Sequence, residues 1–133
     1  MMKALVVDDS RSMRSIVSRI LRGIGVEEIV QAENGQAAME ALETGSLPDI
    51  ALVDWHMPVM NGYQFVCATR KRSEWRPMTI MMVTTENEHG QIVKALAAGA
   101  AEYLIKPFTP DALVDKLALL GLTPSVPTGA AIS

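Results

Sequence analysis

Residues 52–62 read LVDWHMPVMNG, which places a carboxylate, Asp54, directly after a run of apolar residues. The apolar run over 50–53 is typical of a buried strand, and the Met57-Pro58 pair after it indicates a sharp turn. Burying a carboxylate at the end of such a strand costs several kcal/mol unless other groups interact with it. We therefore expect partners for Asp54 elsewhere in the chain.

The composition is that of one globular domain, with 49% hydrophobic and 20% charged residues among 133. A net charge of −3 argues against binding to nucleic-acid phosphates, and the apolar runs are too short to span a membrane. The single cysteine, Cys67, excludes an internal disulfide and favours a reducing cytoplasm. We expect the domain at residues 1–122. Because residues 123–133 contain two prolines and no periodicity, we expect a flexible tail or linker stub there.

Two hydrophobic periodicities alternate along the chain. Short apolar runs predict five strands, at 3–8, 26–32, 49–54, 78–84 and 102–106, and apolar spacings of three and four predict a helix after each. Strands that alternate with helices form a parallel sheet covered on both faces, so we predict an α/β, doubly wound fold. The basic run 70–72 at the end of the third helix is interpreted as a solvated helix end.

Polar residues follow four of these strands at one edge of the predicted sheet: Asp8 and Asp9, Asp54, Thr84, and Lys106. In open parallel sheets, ligands bind beyond the carboxyl ends of the strands. Three crowded carboxylates repel one another unless a cation neutralises them, and oxygen ligands suit Mg²⁺. A carboxylate beside Mg²⁺ and a lysine can attack a phosphoryl group, so the predicted chemistry is an aspartyl phosphate at Asp54. The alternative is that these acids only cap the following helices.

With these residues the chain resembles the response-regulator receiver domain, and specifically the single-domain chemotaxis regulators of the CheY type. The resemblance covers residues 3 to about 121. Its pieces, in order, are Asp8-Asp9, Asp54, Met57-Pro58-x-Met60-Asn61-Gly62, Thr84, and Tyr103-x-x-Lys106-Pro107-Phe108. It implies a flavodoxin-like (βα)5 fold, in which a five-stranded parallel sheet has the strand order 2-1-3-4-5.

The resemblance also implies a metal site and a phosphoacceptor. Asp54 would accept the phosphoryl group. Asp9 and Asp54 would bind Mg²⁺ directly, with the backbone carbonyl of His56 as a third protein ligand, and Asp8 would act mainly through water.

Further residues would respond to the phosphoryl group. Lys106 would pair with its oxygens, Thr84 would hydrogen-bond to it, and Tyr103 would then move inward as the second switch residue. The Lys106-Pro107 peptide bond would be cis. The side chains of His56 and Glu86 would flank the path of water to the phosphoryl group and tune its lifetime.

The implied function is that of a two-component signalling switch that catalyses only its own phosphorylation and dephosphorylation. A sensor histidine kinase or a histidine phosphotransfer protein would supply the phosphoryl group. The surface formed by the fourth helix, the fifth strand and the fifth helix would bind the output partner, such as the flagellar motor. We expect a cytoplasmic monomer that acts in chemotaxis. The alternatives within the family are a receiver module of a larger protein, a phosphorelay component and a phosphate sink.

Two other classes of protein fit the motifs less well: an enzyme, and a binding module of two possible kinds. A dehalogenase-type phosphatase also uses an aspartate nucleophile and Mg²⁺, but it carries Asp-x-Asp where this chain has adjacent acids, and it usually has an inserted cap. A flavodoxin-like flavin-binding module needs a Ser/Thr/Gly-rich loop after the first strand, and Asp8 and Asp9 would repel the flavin phosphate there. A receiver fold that no longer accepts phosphate usually lacks the acceptor or the lysine, and both are present here.

Overall fold

Five strands and five helices alternate along the part of the chain that the structure describes, as the periodicity predicts. The computed structural model describes residues 2–85 and 89–122. Its elements are β1 (Lys3–Val7), α1 (Arg11–Gly23), β2 (Glu28–Ala32), α2 (Gly35–Thr44), β3 (Ile50–Asp54), α3 (Gly62–Arg70), a 3-10 turn (Ser73–Trp75), β4 (Thr79–Thr84), α4 (His89–Ala98), β5 (Glu102–Ile105) and α5 (Pro110–Leu119). Glu86 and the segment 123–133, for which we made predictions above, lie outside the described residues.

The five strands form one parallel sheet in the order β2-β1-β3-β4-β5, which confirms the predicted fold. Side chains of successive strand residues point to opposite faces of the sheet, so each face needs its own helical cover. On one face, Leu42 of α2, Phe65 of α3 and Ala95 of α4 are buried together. On the other face, Leu21 of α1 and Leu117 of α5 are buried. Among the residues that the structure describes, no helix has the length and apolar character needed to cross a membrane.

The register of the sheet aligns the strand ends that carry polar residues. Asp54 at the end of β3 pairs with Val83, and Thr84 at the end of β4 pairs with Ile105. The backbone amide of Lys106 then donates to the carbonyl of Thr84 at 2.7 Å. The carboxyl ends of β3, β4 and β5 therefore lie side by side, as the sequence predicts.

The position of Arg70 corrects our interpretation of the basic run 70–72 as a solvated helix end. The helix ends at Arg70, and its guanidinium is half-buried instead of solvated. Its Nη2 donates to the carbonyl of Met78 at 2.8 Å and its Nε donates to the carbonyl of Gly99 at 3.1 Å. Burial lowers the pKa of Arg70. Arg72 in turn lies 4.0 Å from the ring centroid of Trp75. Arg70 therefore ties the end of α3 to the segments before β4 and β5.

A strained turn joins β3 to α3. Val59 has a φ of 70°, in the left-handed region that β-branched residues avoid. The amide of Met60 donates to the carbonyl of Pro58 at 2.7 Å, which makes Val59 the central residue of a γ-turn. The Val59 side chain is 79% exposed, so its own packing does little to hold this conformation. Met60 anchors the turn instead. Its side chain packs so closely on Gly35 that a Cβ at that position would come within 2.6 Å of Met60 Cγ.

Replacing Val59 with glycine should stabilise the protein. Val59→Gly removes left-handed strain of about 1–3 kcal/mol and little buried surface, whereas the added freedom of the unfolded backbone costs about 0.5–1 kcal/mol. We expect the free energy of unfolding in urea to rise by about 1 kcal/mol. Val93→Gly is the matched control, because Val93 is also an exposed valine but lies within α4, and this change should lower stability. Equal losses in both variants would rule out strain at Val59.

Candidate functional site

Three carboxylates converge at the carboxyl edge of the sheet. Asp8 and Asp9 directly follow β1, and Asp54 is the last residue of β3. One carboxylate oxygen from each lies within 4.8 Å of the others. Asp8 and Asp54 are buried, whereas Asp9 is exposed. The structure thus brings together the three acids that the sequence singled out.

Lys106 bridges the two buried acids. Its Nζ lies 3.0 Å from Oδ1 of Asp54 and 3.3 Å from Oδ2 of Asp8. Burial raises the pKa of Asp54, and repulsion from Asp8 and Asp9 adds to that rise, while the hydrogen bond and charge of Lys106 oppose it. Burial alone would lower the pKa of Lys106, but its bonds to Asp54 and Asp8 outweigh burial and raise it. Burial therefore works against the charge of Asp54, whereas the contacts with the two acids favour the charge of Lys106.

Other side chains cap the helices that begin at this edge. Ser10 caps α1, because its Oγ accepts from the amide of Met13 at 3.2 Å. Asn61 caps α3, because its side chain accepts from the amide of Gln64 at 2.8 Å, and the Gln64 side chain accepts from the amide of Asn61 at 2.9 Å. The alternative that the acids serve only as helix caps is therefore wrong for these two helices.

Helix α1 fixes the position of Asp8. The amide of Ser10 donates to Oδ1 of Asp8 at 2.9 Å, and Nη1 of Arg14 donates to the backbone carbonyl of Asp8 at 2.7 Å. Sequence reasoning missed this role of Arg14. Its place in the first turn of α1, directly after the two acids, is the signal that could have indicated it.

The turn after β3 packs closely against the backbone of Asp54. A Cβ at Gly62 would lie 2.5 Å from the backbone oxygen of Asp54, so only glycine lets α3 begin this close to the strand. The amide of Gly62 also donates to the carbonyl of Trp55 at 3.0 Å. An open depression of about 350 Å³ adjoins the acidic cluster here, and it is lined by Asp9, His56, Met57, Pro58 and Asn61. A ligand can therefore reach the cluster from solvent.

The other predicted residues that the structure describes lie on β4, on β5 and in the loops that follow β3 and β5. Thr84 is buried at the end of β4, and Tyr103 is half-buried on β5. The Lys106-Pro107 peptide bond is cis, as the resemblance implies. The side chain of His56 is exposed at the rim. The roles of Thr84, Tyr103 and His56 stay predictions.

The donors at this edge suit a divalent cation and an anion. Carboxylate oxygens are the ligands that Mg²⁺ prefers, and three of them outnumber the single ammonium of Lys106. The excess negative charge is unfavourable in a partly buried place unless a cation offsets it. The cluster therefore fits a Mg²⁺ site, and Lys106 adds a positive charge suited to an incoming anion.

Neutralising Asp54 should stabilise the protein in the presence of EDTA. Because the pKa of Asp54 is raised above its ordinary value of 3.8, the ionised carboxylate destabilises the folded state. The extra stability of Asp54→Asn over wild type should be small below pH 3.8, should grow as the pH rises through the raised pKa, and should then stay constant. Urea unfolding across this range measures it. Asp115→Asn, at an exposed site on α5, is the control. An Asp54→Asn variant no more stable than wild type at pH 7 would show that Lys106 compensates the buried charge fully.

Known proteins resemble this chain over most of its length. Residues 4–118 match the response regulator receiver domain family. Chemotaxis protein CheY1 of Helicobacter pylori is 41% identical over 116 residues, which cover 87% of this chain and 94% of that protein. Chemotaxis protein CheY of Pseudomonas aeruginosa is 36% identical over 87% of this chain and 93% of its own length. The solved structure of chemotaxis response regulator CheY4 of Vibrio cholerae has a TM-score of 0.81 and 37% identity, covering 90% of this chain and 98% of its own. This chain therefore belongs to the response regulator receiver domain family.

Proposed function

We propose that this chain is a phosphorylation switch of two-component signalling, with Asp54 as the phosphoacceptor. The observation that carries the proposal is the position of Asp54, at the end of a buried strand and 3.0 Å from the ammonium of Lys106. Asp8 and Asp9 lie beside it in the same cluster. We assign the receiver domain to residues 1–122 and a tail or linker to residues 123–133.

The proposed reaction moves a phosphoryl group from a histidine nitrogen of a sensor kinase or phosphotransfer protein to a carboxylate oxygen of Asp54. The phosphorus–nitrogen bond breaks, and a phosphorus–oxygen bond forms. Such a transfer depends mainly on positioning and on neutralising charge. Lys106 contributes a positive charge that neutralises part of the phosphoryl charge. Its ammonium already lies between Asp54 and Asp8 and can turn to the phosphoryl oxygens. The chain acts as an acceptor and not as a conventional enzyme.

The cofactor in this proposal is Mg²⁺. Asp9 and Asp54 would bind it directly with the backbone carbonyl of His56, and Asp8 would reach it through water. Bound Mg²⁺ would offset the negative charges of these acids and of the incoming phosphoryl group. The exposure of Asp9 supports this assignment, because that carboxylate faces the solvent from which a hydrated ion arrives.

Phosphorylation would be transmitted through Thr84 and Tyr103. The added charge at Asp54 would draw the hydroxyl of Thr84 inward, and the ring of Tyr103 would fill the space that this leaves. The surface of α4, β5 and α5 would change with the ring and bind the output partner. His56 and Glu86 would tune the lifetime of the phosphoryl group from the sides of the crevice.

We assign the switch to chemotaxis, in the cytoplasm and as a monomer. Support comes from the relatives, since the Helicobacter, Pseudomonas and Vibrio proteins are named as chemotaxis proteins or regulators. The upstream partner would be a sensor histidine kinase or a phosphotransfer protein. The output partner would be the flagellar motor or another effector on the surface of α4, β5 and α5. The formal charge of −3 disfavours nucleic acid as a partner.

Acetyl phosphate should phosphorylate this chain at Asp54 only when Mg²⁺ is present. Intact-mass analysis should show one added phosphoryl group that is lost in alkali, because acyl phosphates hydrolyse readily in base. Asp54→Asn should show less than about 1% of the wild-type adduct, since the amide is not a nucleophile. Asp115→Asn should match wild type, because that acid lies away from the cluster.

Two results would contradict the proposal. An adduct that persists in Asp54→Asn at the wild-type level would place the acceptor elsewhere. The absence of any adduct from acetyl phosphate and from a phosphorylated histidine kinase would leave only the role of a binding surface.

A further inference from the structure

We propose that Lys116 and Glu102 form a latch that holds the ring of Tyr103 and so sets how readily the switch moves. Lys116 is then a positioning residue that acts through Tyr103 and does not touch the reacting atoms. This inference rests on the proposed function, in which the Tyr103 ring changes place when Asp54 carries a phosphoryl group.

Three contacts build the latch. The Nζ of Lys116 on α5 lies 2.9 Å from Oε1 of Glu102 and 4.4 Å from the ring centroid of Tyr103. The same Oε1 accepts a hydrogen bond from the backbone amide of Tyr103 at 3.0 Å. One carboxylate oxygen therefore fixes both the ammonium and the backbone of the aromatic residue that the ammonium covers.

The latch is partly shielded from solvent. The side chains of Lys116 and Glu102 are 25% and 20% exposed. Ion pairs and cation–π contacts strengthen as water is removed, so this arrangement holds more firmly than a fully exposed pair. The pKa of Glu102 reflects the same contacts. Burial alone would raise it, but the bonds from Lys116 and from the amide of Tyr103 outweigh burial and lower it.

The latch acts at the end of β5 that lies farthest from Thr84. Glu102 begins β5 and pairs with Met81, whereas Thr84 pairs with Ile105 at the other end of the strand. A ring that moves toward Thr84 must move away from an ammonium anchored at Glu102. The contact with Lys116 therefore opposes the motion that the switch requires.

The latch also lies within the proposed output surface. Tyr103, Ile105 and Lys116 line an open groove of about 420 Å³ between β5 and α5, together with Leu104, Pro107, Phe108, Thr109 and Ala112. Movement of the ring and release of the ammonium would change this groove together. The latch stabilises the observed arrangement relative to the switched one by some factor. Because coupling is reciprocal, it must weaken the affinity of Asp54 for a phosphoryl group by the same factor.

The test compares Lys116→Met with Lys71→Met. Lys71 is exposed at the end of α3, so its replacement makes the same change of charge away from the latch and from the proposed output surface. The probe is beryllofluoride with Mg²⁺, a stable mimic of the phosphoryl group, and the readout is tryptophan fluorescence, since Trp55 directly follows Asp54. Lys116→Met should bind beryllofluoride roughly fivefold more tightly than wild type. Lys71→Met should bind as wild type does.

A second variant and a second readout separate a latch from a general effect. Glu102→Gln should shift the affinity for beryllofluoride in the same direction as Lys116→Met. The double variant should bind beryllofluoride no more tightly than Lys116→Met alone, because both changes break the same contact. In NMR spectra without beryllofluoride, the Tyr103 ring signals of Lys116→Met should move toward their positions in the saturated wild type.

The outcomes distinguish the latch from the proposed function. Unchanged or weaker binding of beryllofluoride by Lys116→Met, with normal binding by wild type, overturns the latch alone. Wild type that binds no beryllofluoride, or Asp54→Asn that binds it equally well, overturns the proposed function and the latch with it.

Discussion

The crowding of like charges at one edge of the sheet is the constraint on which the rest of this molecule depends. Asp8 and Asp54 are both buried, and with Asp9 they place carboxylate oxygens within 4.8 Å of one another. Lys106 offsets part of this charge. The fold keeps a locally unfavourable arrangement because the sheet around it is buried on both faces and can supply the missing stability. A site that is short of positive charge is suited to a metal ion.

The backbone around Asp54 has little freedom to relax that crowding. Gly62 leaves no room for a side chain beside the carbonyl of Asp54, and the Met60 side chain occupies the space above Gly35. Val59 has a strained backbone in a γ-turn at the surface of this segment. The turn thus packs closely against Asp54, while Asp9 remains exposed on the other side of the cluster.

The sequence predicts the sheet and the residues at its edge well, because both follow from short patterns. Apolar runs that end in Asp8, Asp54, Thr84 and Lys106 mark parallel strands, and the carboxyl ends of such strands must meet. It does not predict contacts between residues that are far apart in the chain. Arg70 and Gly99 are 29 residues apart, and Lys116 and Glu102 are 14 apart. Nor does it predict the left-handed Val59, since valine ordinarily avoids that conformation. These features depend on tertiary packing that no local pattern encodes.

A crystal structure with Mg²⁺ and beryllofluoride would locate the acceptor atom and the new position of the Lys106 ammonium together. We predict beryllofluoride on a carboxylate oxygen of Asp54, Mg²⁺ among the three acids, and the ammonium of Lys106 turned from Asp8 to a fluoride. Beryllofluoride bound elsewhere would contradict the role of Asp54 as the acceptor. A Lys106 that still bridges Asp8 and Asp54 beside an occupied Asp54 would contradict the role of the lysine.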